Sequence, residues 1–121
     1  LIKPRFSVST AWVYKNLNFE KIILRPDTDD IISLIENRDL QNLGKKMVNV
    51  LEAVTIEKYE IIREIKEKLV KLGAFGSMMS GSGPTVFGIF QDRFAAQKAY
   101  EELNRDDRWD CILTETFYEE R

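Results

Sequence analysis

Apolar residues recur every three or four positions along much of the chain, which is the spacing of amphipathic α-helices. The clearest case is residues 57–72, where Glu and Lys occupy the face opposite an apolar stripe. The stripe consists of Ile61, Ile65, Leu69 and Leu72. Gly73 follows, where a left-handed residue typically ends a helix. The pattern predicts a long surface helix, and its charged face is a solvated face rather than a binding site.

Shorter helices are predicted wherever a small polar residue precedes an apolar repeat, because such a side chain accepts a free backbone N–H. The predicted helices are residues 10–17 after Ser9 (with Ser7 as a second candidate cap), a helix after Asp27 that Asn37 closes, a helix from Asp39 towards Leu51, and residues 93–103 after Asp92. Asp27, Asp29 and Asp30 are therefore interpreted as a helix start and not as a metal cluster. Residues 19–24 form an apolar connector.

Two β-prone runs, residues 74–80 and 85–90, flank Gly81-Ser82-Gly83-Pro84 and predict an antiparallel hairpin. Residues 109–118 predict a last strand, and residues 1–3 the end of a first strand that Pro4 stops. The order is β-α-β-β-α-β, so the sequence predicts an α+β, ferredoxin-like domain. It has a four-stranded antiparallel sheet, helices on one face and extra helices in the first crossover. Residues 1–121 form one domain.

The composition of the chain limits which partners and which kinds of catalytic or metal site are possible. Lys plus Arg number 18 and Asp plus Glu 20, a balance that favours neither nucleic acid nor a membrane as a partner. Histidine is absent, which excludes a Ser-His-Asp triad and a Cys/His zinc site within this chain. The one cysteine, Cys111, forms no internal disulfide, which fits a reducing cytoplasm. It lies in an apolar strand, and we interpret it as an inert thiol.

The stretch at residues 79–90 is the strongest candidate for a site. Glycine tolerates positive φ and close approach, so the loop can direct several N–H groups at one anion. Taken alone, the same residues also fit a tight hairpin turn that binds nothing.

The sequence of residues 79–87, Met-Ser-Gly-Ser-Gly-Pro-Thr-Val-Phe, resembles the third conserved motif of the GHMP kinases. Residues 3–14, with Pro4, Val8-Ser9-Thr10 and Tyr14, resemble the start of the C-terminal half of the 4-diphosphocytidyl-2-C-methyl-D-erythritol kinase family. Residues 49–52 resemble an Asn-Asp-Leu-Glu segment of that family, although Val50 departs from it. The resemblance covers nearly the whole chain, but only the second half of such an enzyme.

The resemblance implies where a substrate would lie. Tyr14 corresponds to an aromatic that packs on the cytosine ring, and Thr10 reaches the substrate. Trp12 is a rival to Tyr14 on another helix face, so we expect one of the two to face the cleft. Ser9 is a plain N-cap.

The glycine loop would shape the phosphate side of the site through Ser80, Gly81, Ser82 and Gly83. We expect backbone N–H groups of the last three to stabilise negative charge. Asn49 and Glu52 are interpreted as residues that cap and brace the start of the long helix.

The resemblance also implies a reaction: the whole enzyme would use ATP and Mg²⁺ to phosphorylate the 2-hydroxyl of 4-diphosphocytidyl-2-C-methyl-D-erythritol. The family's catalytic Asp, Lys and ATP loop belong to an N-terminal half that is not in this sequence. We therefore expect this chain to be part of a longer protein. By itself it should hold no catalytic residue, metal ligand or tightly bound cofactor, and the surface that the missing half covers should favour self-association.

Two other functions stay open at this point. The first is another GHMP kinase, of the homoserine or mevalonate type, against which Val8-Ser9-Thr10 and Tyr14 argue. The second is a non-enzymatic ferredoxin-like regulatory domain. A glycine-rich nucleotide loop upstream of Leu1 would exclude that second function.

Overall fold

The structure, a computed structural model, describes residues 1–18 and 25–116. Its strands and helices follow the predicted order. They are β1 (Ile2–Pro4), α1 (Thr10–Lys15), α2 (Thr28–Glu36), α3 (Leu40–Lys46), α4 (Glu52–Lys58), α5 (Ile61–Lys71), β2 (Gly76–Met79), β3 (Val86–Ile89), α6 (Arg93–Leu103) and β4 (Trp109–Cys111). The last strand, predicted over residues 109–118, ends at Cys111, and residues 112–116 are not assigned to a strand. The predicted connector at residues 19–24, and Phe117 and Tyr118, lie outside the described residues.

The four strands form one antiparallel sheet in the order β2-β3-β1-β4. This order, with α5 and α6 in the two crossovers, confirms the predicted ferredoxin-like arrangement. Directly paired residues share a face of a sheet, and the pairs Met79↔Val86, Ile2↔Val86 and Ile2↔Cys111 run across all four strands. These residues therefore mark one continuous sheet face.

The core lies between this face and the helices. Its fully buried side chains include Ile2, Met79 and Val86 from the sheet, and Ile62 and Ile65 from α5. The buried Trp109 indole N–H donates to the Leu103 carbonyl at 2.9 Å, which ties the end of α6 to β4. No helix in residues 1–18 and 25–116 has both the length and the apolar character needed to cross a bilayer.

The predicted N-caps are confirmed where a side chain accepts an N–H at the start of a helix. The pairs are Ser9 with Trp12, Asp27 with Asp30, Asp39 with Asn42, and Asp92 with Ala95. Gly73 has a φ of 108°, as expected of a residue that ends a helix. The carboxylates at the start of α2 thus serve the helix, as the sequence indicated.

The prediction of one helix over residues 57–72 is wrong in the first turn of that range. The chain breaks at Tyr59, with φ −127° and ψ 84°, between α4 and α5. The Tyr59 ring stacks on Phe6 with centroids 4.6 Å apart, so a tertiary contact accompanies the break. Likewise α3 ends at Lys46 rather than continuing towards Leu51, because Met47 adopts an extended backbone.

Helix α3 approaches the edge strand β2 through two glycines. A Cβ added to Gly44 would overlap the Phe75 carbonyl, and one added to Gly76 would lie 2.6 Å from the Gly44 carbonyl oxygen. Backbone therefore touches backbone here, with no side chain that can move aside. This contact positions the segment that follows α3, which carries Asn49.

Replacing Gly44 with alanine should destabilise the domain by about 1–3 kcal/mol through overpacking, which outweighs the roughly 1 kcal/mol that alanine adds to helix propensity. Urea unfolding followed by circular dichroism measures this. Lys45→Ala is the control, because Lys45 is the exposed next residue of α3. A Gly44→Ala variant as stable as the parent would contradict the close contact.

Candidate functional site

The glycine loop between β2 and β3 is held in a tight turn by its own backbone. The Ser80 N–H donates to the Thr85 carbonyl at 2.8 Å, and the Gly83 N–H donates to the Ser80 carbonyl at 3.0 Å. Gly81 and Gly83 have φ values of 56° and 86°, in the left-handed region that glycine adopts readily. The two glycines thus allow the chain to reverse within a few residues.

Beneath the turn there is no room for another side chain. A Cβ on Gly83 would lie 2.8 Å from the Met79 sulfur and 3.4 Å from the Thr55 methyl carbon. The Thr55 hydroxyl, on a fully buried residue, donates to the Ser82 carbonyl at 3.1 Å. Glycine at residue 83 therefore lets the loop sit directly on α4.

Asn49 clamps the loop from the segment between α3 and α4. Its amide nitrogen donates to the carbonyls of Met79 and Gly81, both at 2.7 Å. Its amide oxygen accepts the Leu51 N–H at 3.0 Å, so the clamp is itself fixed to the start of α4. The Asn49 side chain therefore links the start of α4 to the loop at two points, Met79 and Gly81.

Glu52, the first residue of α4, holds the strand that enters the loop. One carboxylate oxygen accepts the Met79 N–H at 2.9 Å, and the other pairs with the Lys66 ammonium. The side chains of Glu52 and Lys66 are only 14% and 27% exposed. Loss of either charge would therefore leave the other one poorly solvated and unpaired. The sequence interpretation assigned Asn49 and Glu52 to the start of the long helix, whereas the structure places them at the start of the separate helix α4, where Asn49 accepts the Leu51 N–H and no side chain of the described residues caps the helix. The sequence reasoning missed that they brace it against the loop, although the resemblance at residues 49–52 pointed to them.

The two predicted site segments meet at Thr10. Its hydroxyl lies 2.9 Å from the Ser82 hydroxyl, although the residues are 72 apart in sequence. Tyr14 follows Thr10 by four residues on α1 and so lies on the same helix face. The Tyr14 side chain is 56% exposed.

Trp12 occupies a different environment. It is half-buried against the core, and the Lys58 ammonium lies 4.3 Å from the centre of its ring. Of the two aromatics, Tyr14 is therefore the more accessible one, and it shares a helix face with Thr10.

The free donors of the loop are fewer than the sequence indicated. The Gly83 N–H is occupied by the Ser80 carbonyl, whereas those of Gly81 and Ser82 have no acceptor within residues 1–18 and 25–116. Successive N–H groups in a turn that includes a left-handed residue form an anion-binding concavity. Of the three expected donors, the Gly83 N–H is thus already taken within the turn, and an anion-binding role for the other two stays a prediction.

A cavity of about 360 Å³ adjoins the same loop. Its wall includes Ser80, Gly81, Asn49 and the apolar residues Val48, Val50, Met78 and Phe87. The described residues include no group of three or more His, Cys, Asp or Glu placed to hold a metal ion. Cys111 lies away from the loop on β4, and burial raises the pKa of its thiol, which disfavours the reactive thiolate.

Comparison with known proteins gives a consistent result. Residues 31–107 match the family described as "GHMP kinases C terminal". A protein of Acetivibrio thermocellus named 4-diphosphocytidyl-2-C-methyl-D-erythritol kinase is 52% identical over 116 residues, which cover 96% of this chain and 41% of that protein. A Clostridium novyi protein of the same name is 54% identical over 101 residues, covering 84% of this chain and 36% of its own length.

Two solved structures resemble the fold. A crystal structure of 4-(cytidine 5'-diphospho)-2C-methyl-D-erythritol kinase matches 89% of this chain and 39% of its own, with a TM-score of 0.74 and 24% identity. Homoserine kinase from Cytophaga hutchinsonii matches 86% of this chain and 35% of its own, with a TM-score of 0.65 and 21% identity. The chain thus spans well under half the length of the relatives that it matches.

Replacing Asn49 with alanine should release the loop, because two carbonyls lose their shared donor. We expect a loss of about 1–3 kcal/mol in the free energy of unfolding and faster hydrogen exchange at Ser80 and Gly83. Denaturant titration and amide exchange by NMR measure the two effects. Asn104→Ala, the same change at an exposed residue after α6, is the control. Unchanged exchange in the Asn49 variant would contradict the clamp.

Proposed function

The chain belongs to the GHMP kinase family, and on this premise we propose that it is the C-terminal domain of a cytoplasmic 4-diphosphocytidyl-2-C-methyl-D-erythritol kinase. The observation that carries the proposal is the contact between Thr10 and Ser82. Thr10 belongs to residues 3–14, which resemble this one kinase family. Ser82 belongs to the glycine loop, whose motif resembles the GHMP kinases in general. The contact supports the proposal of a shared groove for a nucleotide-linked sugar alcohol at this place.

In the proposed reaction, the 2-hydroxyl oxygen of the methylerythritol unit attacks the γ-phosphorus of ATP and ADP leaves. The hydroxyl proton passes to a base in the other half of the enzyme, the aspartate that the resemblance implies. The product would serve non-mevalonate isoprenoid biosynthesis. Phosphoryl transfer depends mainly on positioning and on stabilising charge, and this domain contributes to both.

Tyr14 and Thr10 form the nucleoside side of the proposed groove. The exposed Tyr14 ring would stack on the cytosine. The Thr10 hydroxyl, which is hydrogen-bonded to the Ser82 hydroxyl, would contact the substrate. Base stacking on an aromatic side chain is worth about 1–3 kcal/mol in single-stranded nucleic-acid complexes. A cytidine nucleotide would gain a similar amount here.

The loop forms the phosphate side, through the N–H groups of Gly81 and Ser82. Because Asn49, Glu52 and Thr55 already hold the neighbouring backbone groups, these donors need not reorganise when charge develops on a phosphate. The described residues do not fit a protein cage for Mg²⁺. We propose that the ion is held mainly by the nucleotide phosphates and by one or two carboxylates of the other half of the enzyme.

The alternatives have less support. The likeness to homoserine kinase, at 21% identity, concerns the fold alone. The relatives at 52% and 54% identity carry the name of one kinase, which does not favour a regulatory domain without an enzyme.

In the longer protein, Tyr14→Ala should raise KM for the cytidylated substrate about 10–100-fold, since each 1.4 kcal/mol is a factor of ten. KM for ATP should hardly change, and Tyr14→Phe should keep near-normal values because the ring remains. Steady-state kinetics with each substrate varied in turn measures this. The control is Lys15→Ala, at the exposed neighbouring residue. An equal rise in both KM values would contradict a stacking role.

The 121-residue chain alone should transfer no phosphate, because the proposed base and ATP loop lie outside it. Incubation with γ-labelled ATP and the cytidylated substrate, followed by chromatography, measures this, with the longer protein as the positive control. Turnover above the no-enzyme rate would show that the chain contains its own catalytic groups.

A further inference from the structure

The hydrogen bond between the hydroxyls of Thr10 and Ser82 can run in either direction. The two oxygens lie 2.9 Å apart, and either of them can be the donor. Within residues 1–18 and 25–116, neither hydroxyl has a second hydrogen-bond partner. A hydroxyl carries one proton and two acceptor lone pairs. One of the two protons is therefore left over, and the direction of the bond decides which residue can offer it to a ligand.

Ser82 is the more firmly held member of the pair. Its carbonyl accepts the hydroxyl of the buried Thr55 at 3.1 Å. The turn closes around it, since the Gly83 N–H donates to the Ser80 carbonyl at 3.0 Å. Ser82 is half-buried, whereas Thr10 is exposed at the first residue of α1. Thr10 is therefore the hydroxyl that is more accessible to a ligand.

The place of Thr10 indicates which part of the proposed substrate would meet it. Residues four apart on a helix are neighbours on one face, so Thr10 lies next to Tyr14, the proposed platform for the cytosine. Thr10 also contacts the glycine loop, the proposed phosphate side. In a cytidine diphosphate group, the ribose joins the base to the phosphates. A substrate that extends from Tyr14 to the loop would therefore bring a phosphate oxygen to Thr10.

A phosphate oxygen at Thr10 would decide the direction of the bond. An ionised phosphate oxygen has no proton and can only accept, so Thr10 must donate its one proton to it. Thr10 can then only accept from Ser82. Hydrogen bonds to charged acceptors are short and strong, and successive hydrogen bonds in a chain polarise one another. The Ser82 hydroxyl would thus orient the Thr10 hydroxyl and strengthen its bond to the phosphate.

We propose that the side chain of Ser82 is a positioning residue for the nucleoside diphosphate. Its hydroxyl donates to Thr10, and Thr10 donates to a phosphate oxygen of the bound substrate. This role of the Ser82 hydroxyl is separate from that of the Ser82 backbone N–H. The inference rests on the proposed function, because it requires a cytidine diphosphate group in the groove.

A double-mutant cycle in the longer protein tests the proposal. Thr10→Val removes the donor to the phosphate and should raise KM for the cytidylated substrate about 10–100-fold, the range of a hydrogen bond to a charged group. Ser82→Ala keeps the backbone N–H and should raise the same KM about 3–10-fold, the range of a neutral hydrogen bond. In the Thr10→Val background, Ser82→Ala should add nothing, because no hydroxyl remains to be oriented. The kcat and the KM for ATP should stay unchanged in all variants.

A rescue variant and a matched control accompany the cycle. Ser82→Thr keeps a hydroxyl and should behave like the parent. Ser33→Ala removes another serine hydroxyl, which is exposed on α2 and accepts from the Asn37 amide, and it should leave all kinetic constants unchanged. Titration calorimetry with two probes then locates the effect. Ser82→Ala should weaken the binding of cytidine diphosphate but not that of cytidine, which has no phosphate.

Additive effects of the two substitutions on KM would overturn the proposal, because Ser82 would then act independently of Thr10. Equal weakening of cytidine diphosphate and cytidine, or faster amide exchange at Gly83 in Ser82→Ala, would also overturn it, since the hydroxyl would then serve to hold the loop. If Thr10→Val raises KM and Ser82→Ala does not, this inference fails while the proposed function stands. A parent protein that does not phosphorylate the cytidylated substrate refutes both.

Discussion

The site depends on the pairing of backbone groups between the buried Met79 and the half-buried Ser82. Asn49, Glu52 and Thr55 supply partners to these groups from the start of α4. Each of these hydrogen bonds stabilises the observed shape of the loop, and together they favour it over other shapes. Within the part of the chain that the structure describes, the N–H groups of the loop that remain without an acceptor include those of Gly81 and Ser82. In the proposed function, these two N–H groups are the ones that meet a phosphate.

Local sequence signals predicted the elements well and their joints less well. The caps at Ser9, Asp27, Asp39 and Asp92 were predictable because a cap acts within three residues of itself. The break at Tyr59 was not, because helical periodicity continues through it and the stacking on Phe6 is a tertiary contact. The end of α3 was missed for a related reason: its backbone contact with β2 lies between segments far apart in sequence.

For the candidate site, too, local features could be predicted from the sequence and tertiary contacts could not. The glycine loop was visible in the sequence because positive φ selects glycine locally. The contact between Thr10 and Ser82, 72 residues apart, came within reach only through the resemblance to a kinase family. The roles of Asn49 and Glu52 were harder still, because an amide and a carboxylate at the start of a helix fit a capping role equally well. Only coordinates separate a side chain that serves its own helix from one that also serves a neighbouring loop.

The ion pair of Glu52 and Lys66 has an electrostatic consequence for this surface. The carboxylate accepts the Met79 N–H at the edge of the strand that leads into the loop, where an uncompensated negative charge would repel an approaching polyanion. Lys66 cancels that charge at close range. The Glu52 carboxylate can therefore hold the Met79 backbone without leaving an uncompensated negative charge next to the loop.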